Sequence, residues 1–173
     1  IGNVMVHRIS CGPGMIGKGW FQFWAFVKAG ALHRKNHYDG IWAMMAHSAG
    51  VPAALFKAAH PTVGYALTLQ EGDPPEYIER KMALFGPLFR RAFTKADVVQ
   101  VISTFLGRWA TRMGYRGEPV LVPNAVDTGH FSRTVSPSEL NAIKDKLGKE
   151  MGDVFLITTS RLVPKNAVDD VIE

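Results

Sequence analysis

Short apolar runs alternate with helical stretches along almost the whole chain, and that alternation constrains the fold more than any single motif. The runs are NVMVHRI (Asn3–Ile9), IWAMM (Ile41–Met45), TVGYALTLQ (Thr62–Gln70), DVVQVI (Asp97–Ile102), the short EPVLVPN, and DVFLITTSRL. They are continuous and apolar rather than strictly alternating, the pattern of strands buried in a parallel sheet with both faces covered. Between them lie helical segments at Trp20–Arg34, Val51–Ala59 and from Ser103, as N-cap, to about Met113. Ile78, Met82, Phe85 and Phe89 mark one helix face, which Gly86-Pro87 should kink or divide. A polar helix over Pro137–Lys149 follows, and NAVDDVIE opens another. Strand after helix after strand predicts an α/β fold with a Rossmann-like parallel sheet.

A length of 173 residues accommodates one domain, or one domain and the first elements of a second. Hydrophobic content of 47% and charged content of 20% belong to a globular chain. Cys11 is the one cysteine, so no disulfide framework exists, and a reducing, cytoplasmic compartment is expected. The longest apolar stretch, Trp20–Leu32, contains Gln22 and Lys28 and falls short of the ~20 residues that cross a bilayer. No basic leader with a small-residue cleavage site opens the chain.

The net charge of +5 is unevenly placed. Between Arg80 and Gly117, Arg80, Lys81, Arg90, Arg91, Lys95, Arg108, Arg112 and Arg116 stand against one acid, Asp97. Such a block faces phosphates or an anionic membrane, or it is the solvated side of helices; composition leaves both open. The basic, amphipathic Ile78–Lys95 segment, with Arg90 and Arg91, suits an acceptor held at the inner membrane face. No nucleic-acid reader signature accompanies these charges, so nucleic acid is not an expected partner.

The glycine-rich SCGPGMIGKG does not fit a phosphate loop, because Lys18 is not followed by Ser or Thr. Ala46-His47-Ser48-Ala49-Gly50 approximates the G-x-S-x-G elbow of α/β-hydrolases, with alanine in first place. Asp97 and His130 follow in the Ser-Asp-His order, but no His-Gly-Gly oxyanion run precedes Ser48. A hydrolase with Ser48 as nucleophile therefore stands as a less-supported alternative. His7, His33, His37, His47 and His60 show no metal-ligand spacing, and no metal is expected.

Four pieces in order carry a resemblance. They are YALTLQEGDP (Tyr65–Pro74), FTKADVVQVIST (Phe93–Thr104), VPNAVDTGHF (Val122–Phe131) and TTSRLVPKNAVDDVI (Thr158–Ile172). Together they resemble glycosyltransferase family 4, the retaining nucleotide-sugar enzymes of the GT-B fold. The resemblance implies an acceptor-side Rossmann-like domain over 1–121, lacking its first strands. A linker and polar helix would cover 122–153, and a donor-binding domain would start over 154–173 with a strand at about Val154–Ser160. It implies transfer of a hexosyl group from a UDP- or GDP-sugar to a sugar, polysaccharide or lipid-linked acceptor, without an obligatory metal.

The resemblance also assigns residues. Arg161, Lys165 and Asn166 would meet the donor diphosphate, Asn166 standing where the family places lysine and Ala167 where it places glycine. Fixed cations there stabilise charge on the leaving diphosphate. Gln70 replaces a histidine near the transferred sugar. Glu71 beside it, read from the sequence, either supplies a carboxylate or is a turn acid facing water; Gln70 and Glu71 are the catalytic candidates. Asn124 and Asp127 would be interdomain turn residues, and Ala125 replaces a glycine, which makes that turn either mild or strained. The family's Glu-x7-Glu segment is not in these residues, so the chain alone is expected to be inactive. Exposed sheet edges would then favour a different role, an oligomerising or complementing module.

Overall fold

The structure, a computed structural model, describes residues 4–9, 14–163 and 166–172. The chain divides into two units, Ile1–Ala125 and Val126–Glu173. Cys11 and Lys165 lie outside the described residues.

The first unit contains α1 (Gly14–Asn36), β1 (Gly40–Met44), a π-helical turn (Met45–Gly50) and α2 (Val51–Ala59). Then come β2 (Gly64–Leu69), α3 (Pro75–Lys81), a 3-10 turn (Ala83–Phe85), α4 (Gly86–Thr94), β3 (Val98–Val101), α5 (Thr104–Arg112) and β4 (Val120–Leu121). All four strands are parallel, in the order β1-β2-β3-β4. The register sets Ala43 beside Leu67 and Leu67 beside Val99.

Side-chain alternation divides the sheet into two faces. Tyr65, Leu67, Leu69, Val99 and Val101 point to one face and are almost fully buried, with Val51 and Ala54 of α2, Phe89, Ala92 and Phe93 of α4, and Leu106, Trp109 and Ala110 of α5. Phe93 packs edge-on against Trp109, with ring centroids 5.1 Å apart. The other face leaves Trp42 69% exposed and Met44, Val98 and Val120 exposed as well. The expectation of two covered faces is therefore corrected. Right-handed crossovers that advance in one direction, β1 to β2 to β3 to β4, lay every connecting helix on the same side.

Capping and glycine geometry account for the boundaries. Ser103 adopts extended backbone and its hydroxyl accepts from the N–H of Leu106, which starts α5. Gly86-Pro87 opens α4 after the 3-10 turn, so the helix is divided there, as the sequence predicts. Ile78 and Phe89 of this segment are buried in the core. The apolar side of Ile78–Lys95 thus packs in part against the core, while Leu84 and Phe85 stay exposed.

Two expected strands do not form. Residues 4–9 have no regular structure, and Val4, Met5 and Val6 are exposed. Residues 154–159 are likewise without strand pairing, with Val154, Leu156 and Ile157 exposed. A β-branched run becomes a strand only when a neighbour satisfies its N–H and C=O groups, and no described strand lies beside either run. Helix α1 begins at Gly14, inside the segment expected to be a glycine-rich loop.

The regular structure described in the second unit is helical. It comprises α6 (Thr128–Phe131), α7 (Pro137–Lys146) and α8 (Asp169–Ile172). Ser136 and Glu139 form a reciprocal capping box that begins α7.

Candidate active site

In a parallel sheet, ligands gather at the carboxyl ends of the strands, where backbone leaves the sheet and side chains converge. Four segments arrive there in the first unit: the π-helical turn after β1, Gln70-Glu71 after β2, Ser103 after β3, and Val122–Asn124 after β4.

Glu71 is the unusual group. It is only 8% exposed. Its Oε1 accepts from the backbone N–H of Ala46 at 2.7 Å, while Oε2 is buried without a hydrogen-bond partner among the described residues. Burial pushes the carboxyl above its ordinary range, opposed by the N–H groups of Ala46, Glu71 and Gln70. A buried carboxyl with one spare oxygen can take a hydroxyl donor. The same carboxylate anchors the π-helical turn, whose first residue, Met45, has φ +70. That backbone is costly for a side chain with a Cβ.

Gln70 stands next to Glu71, and its Nε2–H donates to Oδ1 of Asn124 at 3.0 Å. The glutamine after β2 and the asparagine after β4 thus meet across the strand ends, although 54 residues separate them. Sequence reasoning gave Asn124 only a local turn role and missed this contact. Deeper in the sheet, Trp42 Nε1–H donates to Thr68 Oγ1 at 2.8 Å, and Thr68 donates to Gln100 Oε1 at 2.8 Å. This chain ties β1, β2 and β3 together on the open face and accounts for the burial of Thr68.

Ser48 does not sit on an elbow. It lies within the π-helical turn, and its Oγ–H faces the carbonyls of Met44 and Met45 at 3.4 Å. Asp97, the acid of the hydrolase reading, is at the other end of the sheet, just before β3. There its Oδ2 pairs with Lys57 Nζ at 2.8 Å and accepts from the Tyr65 N–H at 2.7 Å. Ser48 and Asp97 cannot share a histidine, and the hydrolase reading is corrected.

A model of the glycosyl transferase 4-like domain matches residues 2–125. The chain belongs to the glycosyl transferase 4-like family. No curated protein matches it. The match ends where the first unit ends, so Gln70, Glu71 and Asn124 all lie in the matched residues of this family member.

The remaining candidates belong to the second unit. Arg161 is exposed, and its carbonyl accepts from the Val163 N–H and from Asn166 Nδ2, both at 2.9 Å. Asn166 therefore folds back on Arg161 instead of projecting freely. Ala167, in the place of the family's glycine, has φ +47, the left-handed region that glycine occupies at least cost. Asp127 caps α6, its Oδ1 accepting from the His130 N–H at 3.1 Å. Ala125 is not among the described residues with positive φ, so that turn is the mild one. The basic block is partly used in ion pairs, since Arg112 binds Glu79 at 2.6 Å and Glu76 at 3.4 Å. No membrane-crossing helix and no group of three metal-ligating side chains occur among the described residues.

Proposed function

We propose that this glycosyltransferase-family chain forms the acceptor side of a retaining hexosyl-transfer site, with Gln70 and Glu71 as the groups nearest the reacting sugar. The observation that carries this reading is the buried Glu71 carboxyl at the end of β2, with Oε1 held by Ala46 and Oε2 unpartnered among the described residues. In the transfer, the bond from the anomeric carbon to the diphosphate breaks with its electron pair leaving on phosphate. The acceptor oxygen bonds that carbon, and its proton passes to the ionised Glu71 carboxylate. An ionised Glu71 can hold the acceptor hydroxyl and orient it, and the amide of Gln70 can hydrogen-bond a sugar hydroxyl without titrating. Asn124 fixes the Gln70 side chain, and Asp127 begins the segment that follows.

On the donor side, Arg161 is the cation for the leaving diphosphate of a UDP- or GDP-sugar, aided by Lys165 and Asn166. Positioned cations supply the charge that a metal supplies elsewhere, so none is required. The acceptor is lipid-linked or a polysaccharide, and the working compartment is cytoplasmic. The unpaired backbone of residues 154–159 supports the further reading that the 173 residues alone turn over donor slowly or not at all.

The test is transfer by the full reading frame that contains these residues, beside the 173-residue chain, with UDP-glucose and GDP-mannose as donors. Transfer that falls in both Arg161→Ala and Glu71→Gln supports the assignment. Transfer indifferent to both removes it, and turnover by the 173-residue chain removes the claim of inactivity.

A second reading rests on Trp42, Met44, Val98 and Val120, exposed together on one sheet face. An apolar face between two sheet edges favours self-association or a complementing chain. Concentration-dependent mass in light scattering, abolished by Trp42→Ser, separates it from the first.

A further inference from the structure

From Ile1 to Tyr38 the sequence has no Asp or Glu, yet it carries Arg8, Lys18, Lys28, Arg34 and Lys35. Helix α1 occupies most of this acid-free stretch. It packs on α2 through its inner side, where Gln22, Ala25, Phe26 and Ala29 are half-buried. Its outer side carries Trp20, Phe23, Trp24 and Val27, exposed at 52, 50, 47 and 37%. These four sit at i, i+3, i+4 and i+7, one continuous stripe. Phe23 meets Trp20 and Trp24 edge-on, at centroid distances of 6.2 and 5.6 Å, so the aromatics form a set surface. Further along the same outer side, Lys28, Arg34 and Lys35 are exposed.

We infer that this face of α1 lies on an anionic lipid surface, aromatic half inserted and basic half against the headgroups. Charge complementarity selects that occupant. A stripe flanked only by cations, on a segment without one acid, is attracted to a negative surface over its whole length. Tryptophan rings favour the boundary between headgroups and acyl chains, and long cationic side chains reach outward from it. A helix with an apolar stripe and a basic polar side, too polar to cross the bilayer, rests in that plane.

The placement has a consequence for the proposed transfer, on which this step of the inference rests. Gln22 Nε2–H donates to the His47 carbonyl at 3.0 Å, in the turn that follows β1. His33, near the other end of α1, packs against His60 and Phe56 at the end of α2. The aromatic half of α1 is therefore at the same end of the sheet as Gln70 and Glu71. Insertion of Trp20 and Trp24 would bring that end to the bilayer, where a lipid-linked acceptor presents its sugar.

The experiment is cosedimentation of the 173-residue chain with phosphatidylcholine vesicles, with and without phosphatidylglycerol. Binding is expected only with phosphatidylglycerol, weakening as salt rises. K28E/R34E/K35E should reduce it by more than about a hundredfold, at about fivefold per charge. W20A/W24A should reduce it by about tenfold or more. Brominated lipid should quench the wild-type tryptophan emission and lose that effect in W20A/W24A. The three charge reversals are at exposed positions, and an unchanged circular dichroism spectrum keeps that variant interpretable. Equal binding to both vesicle types, no binding, or binding unmoved by the charge reversals overturns the inference. So does a concentration-dependent mass abolished by W20A/W24A, which would make a second copy the occupant. Transfer measured in detergent with a soluble acceptor does not depend on vesicles, so failure of the lipid surface and failure of the transfer reading are distinguishable.

Discussion

At the amino ends of the strands, Asp97 has a cation and a backbone donor: Lys57 Nζ at 2.8 Å and the Tyr65 N–H at 2.7 Å. At the carboxyl ends, Glu71 Oε1 accepts from the Ala46 N–H, with the Gln70 and Glu71 N–H groups close by, and its buried Oε2 has no hydrogen-bond partner among the described residues. One sheet thus holds two carboxyls whose titrations are displaced in opposite directions. Partial burial works against the Asp97 charge, but Lys57 and the Tyr65 N–H outweigh it and hold its carboxyl low. Burial dominates at Glu71 and holds its carboxyl high. The amino end is finished as structure. The carboxyl end is left incomplete, which is the condition of a site that expects a ligand.

The largest effect should come from removing the Glu71 charge while keeping its shape. Glu71→Gln retains an oxygen for the Ala46 N–H and discards the ionised form. In the full reading frame, transfer should fall by about a hundredfold or more if the carboxylate handles the acceptor proton. The melting temperature at pH 8 should stay level or rise, because a buried charge without a cation is removed. A stability loss matching the activity loss would make Glu71 a structural anchor and break the comparison.

Asp97→Ala is expected to show the reverse, a loss of stability with little direct effect on transfer. It leaves the Tyr65 N–H without its acceptor and Lys57 without its carboxylate, while Nζ keeps the Pro61 and Val63 carbonyls. Asp97 is half exposed, so screening reduces the ion-pair part. About 1–2 kcal/mol should be lost in urea unfolding, most of it from the unpaired donor.

The pH dependence sharpens the same contrast. Glu71, with its folded pKa above the ordinary 4.5, binds its proton more tightly when folded. Its contribution is therefore full at low pH and is lost as pH rises from that value through the raised one. Asp97 has its folded pKa below the ordinary 3.8, so its contribution is present above that value and lost as pH falls through the lowered one. Unfolding curves across pH should show the decline above pH 4.5 flattened in Glu71→Gln and the decline below pH 3.8 flattened in Asp97→Asn. Matching pH profiles for the two variants would refute opposite shifts.

What the sequence revealed and what it hid follow the same division between local and distant causes. Strand β2 was legible as Thr62–Gln70 and is Gly64–Leu69, and α2 was legible at its observed limits, Val51–Ala59. The Ser103 cap is a contact over three residues and was legible too. Asn3–Ile9 and Val154–Ser160 carry the same apolar pattern as β2, yet pairing decides a strand and neither run has a neighbour among the described residues. The bare sheet face was hidden because it depends on strand order, which no single run encodes. At the site, Gln70 and Glu71 could be found from the end of a strand and from the family pattern. The π-helical turn could not, since its Ala46 N–H is held by a carboxylate 25 residues away. The amphipathic spacing of Ile78, Met82, Phe85 and Phe89 was visible as well. Whether it faces core or membrane was not, because periodicity is blind to what lies opposite.

The smallest expected effect tests whether the two strand ends at Gln70 and Asn124 act as one unit. Both side chains are at the surface of their contact, so its net worth is modest. Gln70→Ala and Asn124→Ala should each cost well under about 1 kcal/mol in stability, with a coupling of about 0.5 kcal/mol in the double-mutant cycle. The activity cycle is the more decisive measurement. If Asn124 only fixes the amide of Gln70, then Asn124→Ala should lower transfer by a fraction of the Gln70→Ala loss. The double variant should then lose no more than Gln70→Ala alone. Additive losses would mean that Asn124 touches the substrate itself, which would extend the unfinished carboxyl end from β2 across to β4.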